Sequence, residues 1–259
     1  MDDFDSPSSS FISTRTRHRV ATISIHDDVL ILVRRGTKTV LSHAASTEVK
    51  AGAAVVMARG LQCDVINTPS RNGRYEALVL QFGNRVIQDF QRMFGGEFVQ
   101  DKTKDCFLVN SSEEFEHAVL RAADAMKRTD ISTQLRHHKV MEVLLMLAER
   151  GCIFQPRIEL LWPERLRRLI THRPHAPWTV ESLASACNTS SSTLRRRLAE
   201  QDLTVSGLVR SIRLEIAMLL LQTTNLPIGD IAQRCGYTSH SRFSAAFKTR
   251  YGYTPSHLR

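Results

Sequence analysis

The side chains best suited to specific chemistry are three consecutive arginines, Arg195, Arg196 and Arg197, which follow Ser192. A guanidinium group can donate two parallel hydrogen bonds to O6 and N7 of guanine, the commonest specific contact between a protein and a DNA base. Successive helical positions are about 100° apart, so three adjacent arginines cannot all enter one groove. We expect Arg195 and Arg196 to contact bases, Arg197 to contact a phosphate or solvent, and Ser192 to cap the helix or contact a phosphate or base. The alternative is a solvated helix face.

The stretch that contains these arginines is one of two copies of a single unit, at about residues 179–200 and 227–250. Matched residues are 48 positions apart before a central turn and 49 after it, in the pairs Leu183/Ile231, Ala184/Ala232, Cys187/Cys235, Leu194/Phe243 and Leu198/Phe247. Each copy has the pattern of helix, tight turn and helix. This pattern predicts two helix-turn-helix units, in which the second helix enters the major groove of DNA. The candidate DNA contacts of the second copy are His240, Arg242 and Ser244.

Local signals define the ends of these helices. Asn188 and Gly236 stand where a first helix would end in a left-handed residue, and residues 190–192 and 238–239 offer N-caps for the second helices. Between the copies, apolar residues at helical spacing predict one helix of about 16 residues, roughly 24 Å long. A connector of that length could place two recognition helices in successive major grooves, about 34 Å apart.

The net charge of +9 lies almost wholly in the C-terminal part. Residues 1–156 hold 20 Lys and Arg against 19 Asp and Glu, whereas residues 157–259 hold 15 against 7. A basic surface that neutralises phosphates releases counterions and gains affinity for any nucleic acid. The distribution favours a DNA partner for residues 157–259, with a basic face that serves only solubility as the alternative.

The N-terminal part predicts strands followed by two helices. Apolar or alternating stretches, punctuated by Gly36, Gly52, Gly60 and Pro69, suggest strands near residues 20–25, 29–33, 39–42, 53–57, 63–67 and 75–82. Strands at this spacing imply a small, cupin-like barrel or a sandwich. Helices are predicted at about 111–126 and 131–150, and the wide apolar stripe of the second either covers the barrel or forms a subunit interface. The fold class is therefore α+β, with an all-α C-terminal domain.

These patterns predict three segments. Residues 1–16 are polar and rich in serine and are expected to be a disordered tail. Residues 17–152 are expected to form a sensing or dimerisation domain and residues 157–259 a DNA-binding domain, with a linker at Gly151–Arg157. A helix that starts at Pro163 should end before Pro174.

Several function classes are disfavoured. No window approaches 18 consecutive apolar residues and the first 19 residues lack an apolar signal region, so we expect neither a membrane span nor secretion. The five cysteines form no CxxC pair, which favours a reducing cytoplasm without disulfides or structural zinc. Cys187 and Cys235 occupy matched positions, so helix packing is favoured over redox sensing or methyl transfer.

Metal chemistry in the barrel would need a His-x-His pair with a nearby carboxylate. His43 stands alone after a strand and His26 precedes two aspartates in an apparent turn. We therefore expect no metal, no cofactor and no catalysis. A barrel cavity for a small effector remains open, because barrel mouths commonly hold one.

The C-terminal part carries the motifs Arg213-Leu214-x-x-Ala217, Ile231-Ala232, Cys235-Gly236-Tyr237, Phe243, Phe247-Lys248 and Gly252-Tyr253-Thr254-Pro255. Over about residues 160–259 these motifs resemble the AraC/XylS family of bacterial transcription regulators. The resemblance implies transcription activation at promoter DNA with RNA polymerase. It also implies an N-terminal domain that senses a small-molecule or protein effector or forms a homodimer.

The sequence departs from that family at three places, one of which is Val205 and Val209, where aromatic residues are usual. Asp202 and Leu203 stand where a glycine is usual, and Ala245 stands where some relatives have a basic residue that contacts DNA. The second unit is therefore expected to read bases more weakly than the first. The competing hypothesis for the whole chain is a ligand-binding or catalytic barrel that carries an accessory DNA-binding tail.

Overall fold

The structure is a computed structural model that describes residues 6–43, 45–71, 73–98, 105–157 and 161–259. The chain divides into two compact units, residues 1–157 (unit 1) and 158–259 (unit 2). Among the described residues, no helix has the length and apolar character needed to cross a membrane.

Unit 1 is built on two antiparallel sheets. Their strands are β1 (Ser8–Thr14), β2 (His18–Ser24), β3 (Val29–Arg35), β4 (Thr37–Ser42), β5 (Ser46–Lys50), β6 (Ala53–Met57), β7 (Gln62–Thr68), β8 (Tyr75–Gln81) and β9 (Cys106–Asn110). One sheet has the strand order β1-β8-β3-β6-β9, and the other has the order β2-β7-β4-β5. The continuous apolar run at the start of β3 is buried throughout, as expected for a central strand covered on both faces.

Three helices of the described chain complete unit 1: α1 (Asn84–Phe94), α2 (Glu113–Lys127) and α3 (Thr133–Ala148). Ser112 and Ser132 cap α2 and α3. Val119 of α2 and Leu144 of α3 share one apolar core with Leu30 of the five-stranded sheet. The apolar stripe of α3 is buried in this core, as expected of a helix that covers the barrel, but α3 packs mainly against α2 and α1, and α2 contacts the strands β1 and β8. The helix α1 was not predicted.

The prediction of a disordered tail was wrong for residues 8–14. This segment forms β1 and pairs with β8 along its whole length. Ile12 and Thr14 are buried, and the Ser9 hydroxyl donates a hydrogen bond to the carbonyl of Ala123 at 3.1 Å. Because so few of its side chains are buried, this strand needs few apolar residues, and its serines concealed it. Residues 1–5 lie outside the described residues.

The prediction of a linker at 151–157 was also wrong, because this segment packs on unit 1. Cys152, Ile153 and Phe154 are buried, and the Phe154 ring lies 5.2 Å from that of Phe82. The Arg59 guanidinium donates to the carbonyl of Gln155 at 2.6 Å, and the backbone amide of Arg157 donates to Asn84 Oδ1 at 2.6 Å. The boundary between the units follows residue 157.

A lysine is buried between the two sheets. Lys38 Nζ donates to Asn67 Oδ1 at 2.8 Å and lies 5.6 Å from the centre of the Tyr75 ring. Burial lowers the pKa of Lys38 to about 8, because a charged ammonium group loses its hydration there.

Unit 2 is helical, with α4 (Trp162–His172), α5 (Val180–Ala186), α6 (Ser191–Ala199), α7 (Val205–Thr223), α8 (Ile228–Arg234), α9 (His240–Tyr251) and a short 3₁₀ turn at Pro255–Leu258. The predicted helix after Pro163 is confirmed as α4, and the predicted connector is confirmed as α7. The connector extends to 19 residues because Leu221 and Gln222 are also buried. The first half of unit 2, from α4 to α7, has its own apolar core. Its completely buried residues include Ile170, Leu183, Leu194 and Ile212.

We predict that Phe154→Ala lowers the free energy of unfolding of unit 1 by about 3 kcal/mol, the usual cost of removing a buried ring. Both tryptophans of the chain, Trp162 and Trp178, lie in unit 2. Urea denaturation followed by circular dichroism should therefore show an earlier transition, while the tryptophan fluorescence midpoint stays unchanged. Phe11→Ala, at a ring that is 41% exposed, is the control and should cost less than about 1 kcal/mol. Equal losses in both variants would contradict the packing described for residues 151–157.

We predict that Lys38 makes unit 1 more stable as the pH rises. The unfolded lysine keeps its proton up to about pH 10.5, whereas the folded one loses it near pH 8, so protonation favours unfolding across this interval. Relative to Lys38→Met, the free energy of unfolding of the unsubstituted chain should rise by about 2–3 kcal/mol between pH 7 and 10. Urea denaturation at each pH measures this difference, and a flat difference would contradict the burial of a neutral amine.

Candidate nucleic-acid interface

The first helix-turn-helix unit consists of α5, a tight turn and α6. Asn188 ends α5 with a φ of 51°, and the hydroxyl of Ser190 accepts a hydrogen bond from the amide of Thr193 at 3.1 Å. The predicted left-handed residue and N-cap are both confirmed. Together they fix where α6 begins and which side chains occupy its first turn.

The second unit consists of α8, its turn and α9. Gly236 has a φ of 79°, and a Cβ at this position would lie 2.7 Å from Arg213 Nη2 and 2.8 Å from the carbonyl oxygen of Pro174. A glycine is therefore required both by the backbone and by the space. The hydroxyl of Ser239 caps α9 by accepting from the amide of Arg242 at 3.4 Å.

Arg213 of α7 explains this crowding. Its guanidinium donates to the carbonyl oxygen of Pro174 at 2.8 Å and to that of Ala176 at 2.9 Å. These carbonyls belong to the segment between α4 and α5, while Gly236 belongs to the second unit. One side chain of the connector thus holds the start of the first unit beside the turn of the second.

Two buried leucines set the orientation of α6. Leu194 and Leu198 are almost fully buried. Ser192 lies two positions before Leu194, and Arg196 lies two positions from each leucine. A step of two positions is about 160° around the helix, and both side chains are exposed. The face of α6 opposite its core therefore presents Ser192 and Arg196.

The three consecutive arginines differ in their partners. Arg195 lies 3.5 Å from a carboxylate oxygen of Glu181, and Arg197 lies 3.7 Å from one of Glu200. Both pairs are exposed and contribute little to stability. Arg196 is also exposed and has no ion pair with any described residue. Of the three guanidinium groups, that of Arg196 has no carboxylate to give up before it binds another acceptor.

The α9 helix has the same arrangement with different residues. Phe243 and Phe247 are fully buried, and the positions opposite them are Ser241 and Ala245. The Ser241 hydroxyl lies 2.8 Å from that of Ser239, as Ser192 lies 2.9 Å from Ser190 in the first unit.

The predicted contacts of α9 are distributed around its first turns. His240 and Arg242 are exposed, and the side chain of Ser244 is half-buried on the flank of the helix. The sequence interpretation included Ser244 and missed Ser241. The offset of 49 residues between the second helices of the two units pairs Ser192 with Ser241, and that signal could have identified it.

The cysteines of the two units have the environment expected for packing residues. Cys235 is fully buried and Cys187 half-buried. Burial raises the pKa of the Cys235 thiol to about 12 and also raises that of Cys187, so both groups are held as neutral thiols. Among the described residues, no three His, Cys, Asp or Glu side chains come together as a metal site would require.

Two family models match the chain. One, described as a helix-turn-helix domain, matches residues 183–259, and the other, described as the ExsA N-terminal regulatory domain, matches residues 28–151. The first therefore contains α6 to α9, and the second contains most of unit 1.

Proteins of similar sequence match over different lengths. The urease operon transcriptional activator of Escherichia coli is 33% identical over 96 residues, which are 37% of this chain and 32% of that protein. The chain thus spans about a third of this relative. The transcriptional regulator AdiY of Escherichia coli K12 is 24% identical over 217 residues, covering 76% of this chain and 81% of AdiY.

A solved structure has the same fold. The crystal structure of wild-type ToxT from Vibrio cholerae, with an unsaturated fatty acid bound, aligns with a TM-score of 0.63 at 17% identity. The alignment covers 97% of this chain and 94% of ToxT. The α+β fold class, with a sheet domain before a helical DNA-binding domain, is confirmed. The two matched domains and these regulators agree with the resemblance to the AraC family that the motifs over residues 160–259 carry.

Proposed function

We propose that this chain is a transcription activator that binds promoter DNA in a sequence-specific manner through both helix-turn-helix units. The observation that carries the proposal is that α6 and α9, in one compact unit, are each capped by a serine, each anchored by two buried apolar residues and each exposed on the opposite face. The excess positive charge of residues 157–259 supplies affinity for the DNA backbone. Activation is the stated role of the urease operon relative.

In the first unit, sequence recognition falls to the face that carries Arg196 and Ser192. Arg196 extends from the side of α6 opposite its core, so it meets the floor of a groove that receives this helix, where it can pair with O6 and N7 of guanine. Arg195 and Arg197 lie on the flanks of that face. They would exchange Glu181 and Glu200 for phosphates, which are the acceptors at the walls of a groove.

In the second unit, the face opposite the core carries only the small side chains of Ser241 and Ala245. Such a face allows close approach to the bases but offers few donors for discrimination between them. His240 and Arg242, in the first turn of α9, would contact phosphates or the nearest base edges, and Ser244 would contact the wall of the groove. The first unit would then supply most of the base specificity.

The remaining roles follow from the family. We assign to unit 1 the sensing of an effector or the formation of a homodimer, and to the DNA-bound chain a contact with RNA polymerase. The place of action would be the cytoplasm, and no catalytic activity, metal or cofactor is required. The competing hypothesis is a ligand-binding or catalytic barrel that carries an accessory DNA-binding tail. It predicts that unit 1 binds its ligand, or catalyses its reaction, fully in the absence of DNA.

We predict that the arginines of α6 separate by type of contact. Arg196→Ala should cost about 1–3 kcal/mol of binding free energy at the cognate site and relax the preference at one base pair. Arg197→Ala should weaken binding to all sequences about equally and lower the slope of log affinity against log salt by about 1. Titrations on cognate and scrambled duplexes at several salt concentrations measure both effects.

Arg195→Ala removes the same group from the same turn of the helix and, because Arg195 is assigned to a phosphate, should behave like Arg197→Ala. An equal loss for Arg196→Ala on cognate and scrambled duplexes would refute its assignment to the groove floor.

We predict that a fragment of residues 158–259 folds alone and binds the DNA that the full chain binds, because its core and charge are self-contained. Genomic footprinting of the full chain identifies the site, and gel-shift titration of the fragment tests it. Reporter transcription from the footprinted promoter then tests activation by the full chain. A folded fragment that fails to shift this DNA would contradict the proposal, and unchanged transcription in a deletion strain would contradict activation.

A further inference from the structure

Unit 1 contains a groove of about 800 Å³ on the side of its helices. Its walls are α1, the first half of α3 and the Ser6–Ser8 segment that leads into β1, and Met126 near the end of α2 closes one side. This volume lies within the range of pockets that hold small organic molecules. Neither recognition helix, α6 or α9, contributes a residue to the lining of this groove.

One part of the groove is apolar and adaptable. Met93, Met126 and Met141 line it together with the fully buried Val86. Met93 is 55% exposed, so its side chain is accessible to a molecule in the groove. Methionine side chains are flexible and polarisable, and they fit apolar groups of varied shape.

The other part of the groove is cationic. Arg85 and Arg136 line it, and neither forms an ion pair with a described residue. Arg136 donates one hydrogen bond to the hydroxyl of Thr133 at 3.2 Å, but its Nε is buried and has no partner among the described residues. A buried donor that stays unpaired is costly, so an acceptor supplied by a ligand would be favoured at this position.

The carboxylate of this groove does not neutralise these arginines. Asp89 already accepts from Arg92 at 2.9 Å and lies 3.4 Å from His137 Nε2. The groove therefore combines two guanidinium groups that lack a counter-ion with an apolar wall of three methionines.

We propose that this groove binds a small organic anion that joins a carboxylate, sulfonate or phosphate group to an apolar body. The acidic group would accept hydrogen bonds from Arg85 and Arg136, since the planar guanidinium matches such oxygens in a two-point contact. The apolar body would lie against Met93, Met126 and Met141. The proposal gives the effector expected of unit 1 a location and a chemical class, and in that respect rests on the proposed function. The test of this groove measures the binding of a small molecule and not of DNA, so a failure of DNA binding would leave the proposal for the groove unaffected.

The probe is anilinonaphthalene sulfonate, an aromatic anion whose fluorescence rises in apolar surroundings, and phenylnaphthylamine is its uncharged counterpart. Arg85→Gln and Arg136→Gln in the full chain should each weaken binding of the sulfonate by at least about fivefold and leave binding of the uncharged probe unchanged. Arg71→Gln, at an exposed arginine in a turn of unit 1 away from the groove, removes the same charge and should change neither. Met93→Gln should weaken both probes.

Methyl spectra of the seven labelled methionines locate the probe independently. Addition of the sulfonate should shift the signals of Met93, Met126 and Met141 and leave those of Met57 and Met218 in place. Equal binding of the sulfonate by the Arg85→Gln, Arg136→Gln and Arg71→Gln variants would overturn the proposal. Shifts confined to methionines outside the groove would also overturn it.

Discussion

Two apolar side chains four positions apart determine how each recognition helix is rotated about its axis. In α6 they are Leu194 and Leu198, and in α9 they are Phe243 and Phe247. Burial of each such side chain is worth about 1.5–3 kcal/mol, so a rotation by one residue, about 100°, would expose one of each pair and is disfavoured by a comparable amount. The helices are short, and their serine caps alone would not fix this angle. Everything inferred about which residues meet DNA depends on these two pairs.

Arg213 extends this constraint from single helices to the whole of unit 2. Its bonds to the carbonyl groups of Pro174 and Ala176 satisfy two backbone acceptors in the segment before α5. The left-handed Gly236 leaves room for the same guanidinium at the turn of the second unit. Because a side chain at Gly236 would displace Arg213, the turn and the connector depend on each other. This mutual dependence gives a physical reason for the motifs Arg213-Leu214 and Cys235-Gly236-Tyr237 to occur together.

Sequence reasoning succeeded where the signal is local. The caps at Ser190 and Ser239, the left-handed Asn188 and Gly236, and the apolar period of α7 all act within a few residues, so their pattern is visible in the chain itself.

It failed where the structure depends on distant partners. The strand β1 exists because β8 offers it a partner 61 to 73 residues away, and its own composition gives no such indication. The segment 151–157 is ordered by Arg59 and Asn84, which lie in other elements of unit 1. Ser244 stays a prediction: its side chain is half-buried on the flank of α9, whereas Ser241 is exposed on the face opposite Phe243. The assignment of Arg196 rests on its angle to Leu194 and Leu198 around α6 and on the ion pairs of the flanking arginines. Only the angle can be derived from the sequence.

The carboxylates around the α6 arginines bear on how specificity arises in the proposed function. Glu181 and Glu200 occupy Arg195 and Arg197 in the free protein, so either arginine must lose a partner before it gains a phosphate. This exchange lowers the affinity for DNA of any sequence, because backbone contacts dominate non-specific binding. Arg196 loses no such partner, and its gain is realised only where the correct base is present. Because the flanking exchange acts on specific and non-specific binding alike, it leaves their ratio unchanged. That ratio, which matters when one site competes with a whole genome, is instead set by the contact of Arg196 with a base.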